Sequence, residues 1–259
     1  MVKENQLGLI QSNMENKIKV ISRSMIDLYC ECPRCFFLNF VEGIKRPPGY
    51  PFTLNAAVDK LTKMEFDHYR NLQISHPKCS SEGLSVIPLE HPLMVSWRNN
   101  FRGVRTVKRG RIISGVVDDI WENTESGNWH VVDYKATAKK DPVTELDPNA
   151  PHHDAYKRQL EVYSWLLAEN GLPVDKTAYL YYSTGNNTLP NFNDNLQFET
   201  HIIAVSLDWN WVDPTLNAMI DLIDEVDPPA ASEDCNYCNY VEKRTRLMEL
   251  VNTTLEHES

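Results

Sequence analysis

The sequence predicts an α/β fold, with a mixed central sheet flanked by helices. Three observations carry this expectation. Apolar residues recur at helical spacing over 24–40, 53–73, 152–170 and 209–226. Branched residues gather in short runs at 111–121, 129–136, 177–183 and 198–205. The two kinds of segment alternate along the chain. Of 259 residues, 42% are hydrophobic and 24% charged, the balance of an ordinary globular chain, which excludes a disordered tail, a collagen-like rod and a disulfide mini-scaffold. One domain over 1–259 is expected, with 1–20 as a flexible N-terminal segment.

Ser22 or Ser24 can cap the first helix, and Ile26, Leu28, Phe36, Phe37 and Phe40 supply its apolar contacts. Pro33 interrupts that helix and allows two short ones. Pro47, Pro48, Gly49 and Pro51 then force a loop. Thr53 opens a second helix with Leu54, Ala57, Val58, Leu61, Met64 and Phe66 as its candidate core residues. Four prolines and glycines make 76–92 read as loop. Strands 111–121 and 129–136 are joined by Ser126-Gly127-Asn128, a turn signal, and read as a hairpin. Gly171 and Pro173 end the helix over 152–170. Helix 209–226 carries Leu216, Met219, Ile220 and Ile223, and a short final helix follows Cys235 and Cys238.

No run approaches the roughly 18 apolar residues of a spanning helix, and the first 20 residues hold no apolar signal core. The expected location is the cytoplasm, with no membrane partner. Six cysteines in that compartment point to free thiols or metal ligands rather than disulfides. The net charge of −10 argues against a non-specific coat on nucleic acid but leaves room for a local basic patch.

The hairpin holds the chemistry. A turn centred near Glu125 and Ser126 sets Asp118 across from Asp133, with Cβ atoms roughly 5 Å apart on one face. Two carboxylates this close repel unless a cation sits between them, and oxygen ligands favour Mg2+ or Mn2+. Asp133 and Lys135, two apart on a strand, share a face, while Tyr134 points away and leaves its main-chain carbonyl as a further oxygen ligand. The Lys135 ammonium can orient an attacking water, or accept its proton if its own pKa is depressed.

Gly115-Val116-Val117-Asp118, then Asp133-Tyr134-Lys135, then Gln159 and Tyr163 on the next helix, resembles the PD-(D/E)XK nuclease superfamily. The likeness is to its RecB-like branch, which includes CRISPR-adaptation exonucleases, and it covers about residues 111–165. It implies a restriction-endonuclease-like core and metal-dependent, exonuclease-like hydrolysis of DNA. It also implies Asp118 and Asp133 as metal ligands, Lys135 at the attacking water, and Gln159 and Tyr163 lining the site. That branch carries a histidine ligand on an upstream helix. The matching stretch here, Asn55-Ala56-Ala57-Val58-Asp59, has Asp59 in its place, and aspartate suits Mg2+ or Mn2+ at least as well.

Cys32-Pro33-Arg34-Cys35 and Cys235-Asn236-Tyr237-Cys238 are two C-x2-C pairs, each spaced to grip one ion or cluster. Four thiolates suit a structural Zn2+ or an iron–sulfur cluster. Some RecB-like nucleases hold a 4Fe-4S cluster through one N-terminal and three C-terminal cysteines. The resemblance therefore favours iron, while the two-and-two division keeps zinc open. Either centre would join the two ends of the fold. Between Trp97 and Arg111 the chain carries Arg98, Arg102, Arg105, Lys108, Arg109 and Arg111 without an acidic residue, and Trp97 and Phe101 are interleaved. Such a stretch can attract phosphates and stack bases.

These observations predict a Mg2+- or Mn2+-dependent deoxyribonuclease with DNA as its partner. Two alternatives stand beside it. One is a catalytically weak DNA-binding or scaffold subunit, working with other subunits of a DNA-processing complex. The other is a zinc-stabilised interaction module.

Overall fold

The computed structural model describes residues 19–257, so residues 1–18 of the expected flexible segment lie outside it. Strand β1 (Ile21–Ser22) leads into α1 (Arg23–Glu31) and α2 (Pro33–Phe40). The expected division at Pro33 is present. Ser22 caps α1 by accepting a hydrogen bond from the Met25 amide, and Pro33 opens α2, where its missing N–H costs nothing. Ile26, Leu28, Phe36, Phe37 and Phe40 are all buried.

Helix α3 (Thr53–Leu72) has the expected length, but it turns the other face inward. Thr62, Phe66 and Arg70, spaced one turn apart, are buried. Of the six apolar residues expected in its core, only Phe66 is buried, and Leu61 and Met64 are 64% and 59% exposed. A polar anchor decides the orientation. Arg70 donates to Asp119, which is 0% exposed, and the Tyr134 hydroxyl donates to the other oxygen of Asp119. Replacing Arg70 by Met leaves that carboxyl buried without its cation. The expected loss of stability is on the order of 3 kcal/mol, read as a lowered denaturation midpoint.

The segment 76–92 is more than loop: it contains α4 (Pro77–Ser81) and β2 (Val86–Pro88), followed by α5 (Met94–Trp97). Strand 111–121 is also divided. β3 (Val104–Lys108) and β4 (Arg111–Gly115) form a hairpin closed by Arg109-Gly110, both with positive φ, and lie in a three-stranded sheet ordered β1-β4-β3. β5 (Asp119–Asn123) joins a second, five-stranded sheet with β6 (Trp129–Lys139), β7 (Thr177–Asn186) and β8 (Phe198–Ser206), ordered β2-β5-β6-β7-β8. Helix α6 (Pro151–Glu169) presses on the junction. A Cβ on Gly115 would stand 2.7 Å from Leu166 and 2.8 Å from the Tyr163 ring, so glycine lets helix and strand meet there. The chain crosses between sheets at 116–118.

Both sheets are mixed. β6 and β7 are parallel neighbours, and α6 is the crossover between them. Alternation along β6 separates two cores: Val131 packs with α6, and Val132 and Tyr134 pack with Phe66 of α3. Helix α7 (Val212–Ile223) buries Leu216, Met219 and Ile220. The last helix is not short, because α8 (Asn236–His257) has 22 residues, and Tyr240, Val241, Leu247 and Met248 along it are exposed. Mixed sheets flanked by helices make the α/β architecture the sequence predicts, consistent with a restriction-endonuclease-like core. Among the described residues no helix is long and apolar enough to cross a membrane.

Candidate active site and cysteine centre

The β5–β6 register is the expected one, with Asp119 opposite Val132 and Ile120 opposite Val131. Asp118, the residue before β5, is therefore next in line with Asp133. Its Oδ2 accepts from the Tyr134 amide at 3.1 Å. A strand residue points its N–H and C=O to the same edge, so the Tyr134 carbonyl faces that side too. Asp133 and Lys135 lie on the α6 face, where Lys135 Nζ is 2.5 Å from Asp133 Oδ2. Gln159 ties the set together: its Nε2 donates to Asp133 Oδ1 at 2.6 Å, and its Oε1 accepts from Lys135 at 3.1 Å. The Gln159 amide also donates to the Tyr163 hydroxyl at 3.2 Å. Residues from the inter-sheet link, β6 and α6 thus form one hydrogen-bonded cluster.

Electrostatics divide the two aspartates. Burial and the neighbouring Asp118 push Asp133 up to about 7, against the pull of Lys135. Burial also opposes ionisation of Asp118, but the Lys63 ammonium outweighs it and holds this carboxyl below the usual range. Lys135 is half-buried, which opposes its charge, yet the Asp133 carboxylate outweighs this and raises its pKa above the ordinary lysine value, favouring the ammonium. The Tyr156 ring lies 4.5 Å beneath that ammonium.

Asp59 projects from α3 toward this centre and accepts from Lys63 at 2.9 Å, while the same ammonium donates to Asp118 Oδ1 at 2.8 Å. Lys63, Asp119, Arg70 and Tyr156 are absent from the sequence-based site. Only Lys63 has a signal, one turn after Asp59 on the same helix face. Glu65, which points elsewhere, pairs with His76.

The basic stretch splits. Arg98 and Arg105 line a cavity of about 710 Å³ together with Arg23, Lys63, Asp118, Gln159 and Tyr163. Arg98 is held there by Asp67 at 2.6 Å, and Phe101, 88% exposed, stands at the same cavity. Lys108, Arg109 and Arg111 turn to α7 and pair with Asp213, Asp221 and Asp224. Arg102 is exposed, and its carbonyl accepts from Arg105. Trp97 is not available to stack bases: it is 6% exposed, against His91 and Trp129 in the core.

Cys32, Cys35, Cys235 and Cys238 converge, with all four sulfurs within 4.8 Å of one another. Sγ–Sγ separations are 3.5 Å for Cys35–Cys235, 3.6 Å for Cys35–Cys238 and 3.9 Å for Cys32–Cys238. Cys32 lies at the α1–α2 junction and the second pair at the start of α8, so the centre joins both ends of the described chain. Burial works against the Cys32 thiolate, but the Cys35 and Ser232 amides outweigh it and bring the thiol down to about 6. Arg46 reaches the Cys235 sulfur at 3.7 Å. Cys30 is exposed and outside the cluster, and Cys79 is buried in the core beneath α3. Among the described residues, this is the one group of three or more His, Cys, Asp or Glu ligand atoms that converges so closely. Asp59, Asp118 and Asp133 do not.

Fold and site together define an α/β protein with a carboxylate–lysine centre where two mixed sheets meet. Residues 56–242 match the family model of the PD-(D/E)XK nuclease superfamily, and the chain belongs to that superfamily. A comparison with curated proteins finds no match.

Proposed function

We propose that the chain is a divalent-metal-dependent deoxyribonuclease of the RecB-like branch, acting as an exonuclease. The observation that supports this best is the bonded cluster of Asp133, Lys135 and Gln159, with Asp118 beside it on the Tyr134 amide and an arginine-lined cavity next to both. Asp118 and Asp133 would hold the metal, with the Tyr134 carbonyl and Asp59 as further oxygens. The donor set fits: all are hard oxygens, and Asp133 Oδ2 is buried with no hydrogen bond, only the ion contact to Lys135. A bound Mg2+ or Mn2+ would supply Lewis-acid charge at the phosphoryl group. Lys135 donates to the attacking water and fixes its direction, and Gln159 holds both Lys135 and Asp133 in place. Tyr163 backs Gln159. Arg98 and Arg105 bind flanking phosphates, and Phe101 offers a face for a base. Cleavage of linear and circular DNA with Mg2+, Mn2+ or chelator tests the reading. Linear DNA lost only with metal supports it, and no loss with any metal leaves a DNA-binding or scaffold subunit.

For the cysteines we propose a single tetrahedral ion, zinc, in preference to a four-iron cluster. Four thiolates about 2.3 Å from one Zn2+ stand roughly 3.8 Å apart, close to the separations found here. A cube of iron and sulfide between the thiolates would spread them farther. We also propose residence in the cytoplasm, where cysteines stay reduced and none of the six is in a disulfide, and a place among the subunits of a DNA-processing complex.

Metal binding should depend on pH. Burial and Asp118 push Asp133 up to about 7, so below that pH an arriving cation competes with a proton there. Mn2+ affinity should fall by up to about tenfold per unit as pH drops below about 7, and level off above it. Calorimetry at about pH 6 and about pH 8 reads this, and equal affinities would remove Asp133 from the ligand set.

A further inference from the structure

We propose that Lys63 is a built-in counter-cation that competes with the divalent ion for Asp118 and Asp59, and so sets how tightly the site holds metal. This rests on the reading of Asp118 and Asp133 as metal ligands. Asp118 has two oxygens, and both are engaged: Oδ2 by the Tyr134 amide at 3.1 Å and Oδ1 by Lys63 at 2.8 Å. The first is a backbone group fixed in β6. The second sits on a flexible four-carbon stem and can leave. Lys63 also holds Asp59 at 2.9 Å. A lysine and an aspartate one turn apart on a helix surface would by themselves signify little. Here, however, the ammonium reaches past its own helix to a carboxylate 55 residues away in sequence, at the junction of the two sheets.

A divalent ion at Asp118 Oδ1 must share that oxygen with the Lys63 ammonium, and the two cations repel at such a separation. The ammonium therefore weakens the ion's hold there, and metal entry favours its moving away from Asp118 and Asp59. Asp133 differs: its partners Lys135 and Gln159 belong to the reacting centre itself. Lys63 already lines the cavity that holds Arg23, Arg98 and Arg105. On release its charge stays within that cavity, where a phosphodiester would lie. The same movement that admits the cation thus leaves that positive charge, no longer paired with Asp118, on the substrate side.

Mn2+ titration by calorimetry on wild type, Lys63→Met, Lys63→Arg and Asp118→Asn tests this, with circular dichroism to show that each is folded. A contacting ammonium favours an ionised carboxylate by about 1–3 pK units, so its removal should tighten Mn2+ binding on the order of tenfold or more. Lys63→Arg, which keeps the charge, should stay near wild type, and Asp118→Asn should lose the site. Unchanged or weaker binding in Lys63→Met, with binding still lost in Asp118→Asn, overturns the role of Lys63 and leaves Asp118 as a ligand. No Mn2+ binding to wild type or Lys63→Met, or full binding by Asp118→Asn, overturns both the role and the reading beneath it. Lys63→Gln replaces Lys63→Met if the latter does not fold, with the same expectations.

Discussion

Asp133→Ala and Lys135→Ala should cleave DNA several powers of ten more slowly than wild type while remaining folded. Asp133 is buried and bonded to Gln159, and Lys135 is held between Asp133 and Gln159, so both occupy the centre of the cluster. On the proposed mechanism, losing Asp133 removes a ligand, and with it the charge that the metal brings to the phosphoryl group. Losing Lys135 removes the ammonium that directs the water. The two variants should differ in metal binding: Asp133→Ala loses Mn2+ affinity, whereas Lys135→Ala keeps it and loses turnover. Rates on linear DNA with Mg2+ and with Mn2+, beside calorimetric titration, separate these effects. If both variants cut as fast as wild type, the activity belongs to a contaminant and the site assignment fails.

Cys235→Ser should lower the thermal midpoint by on the order of 10 °C or more and release the proposed ion. Metal binding at a structural site is folding energy, and zinc bound to four protein ligands contributes about 10 kcal/mol or more in small domains. Here the centre ties the α1–α2 junction to the start of α8, so its loss unfastens the two ends of the described chain. With Cys32 already brought down to about 6, at least one ligand is ready as thiolate at neutral pH. Elemental analysis and a visible spectrum after anaerobic purification identify the occupant. Colourless wild-type protein with about one zinc per chain is the expected result for a four-thiolate site. Brown protein with iron and sulfide would replace zinc with the cluster, and metal-free protein indifferent to Cys235→Ser would end the shared centre.

Much of the site could be read from local order. A hairpin turn fixes its own register, so Ser126-Gly127-Asn128 was enough to align Asp118 with Asp133. Period two along β6 put Asp133 and Lys135 on one face, and period 3.6 along α6 put Gln159 beside Tyr163. Chelating spacing within each cysteine pair marked the four residues, and the expected joining of the chain's two ends through them is present in the converging sulfurs.

What tertiary structure decided is which of several possible partners each side chain takes. Helix α3 has an apolar stripe and a mixed polar stripe, and periodicity favours burying the first. The fold buries the second, because Asp119 in the sheet needs Arg70 and because Phe66 fits between Trp121 and Tyr134. Lys63 enters the site on that same face. The basic stretch has uniform charge along the sequence, yet α7 neutralises Lys108, Arg109 and Arg111, while Arg98 and Arg105 reach the cavity. Strand 111–121 looks continuous but divides at Gly115, where α6 presses closest. Short-range stereochemistry sets turns, registers and faces. Charge pairing and close packing between segments distant in sequence depend on where the whole chain goes, so they could be settled only once it had folded.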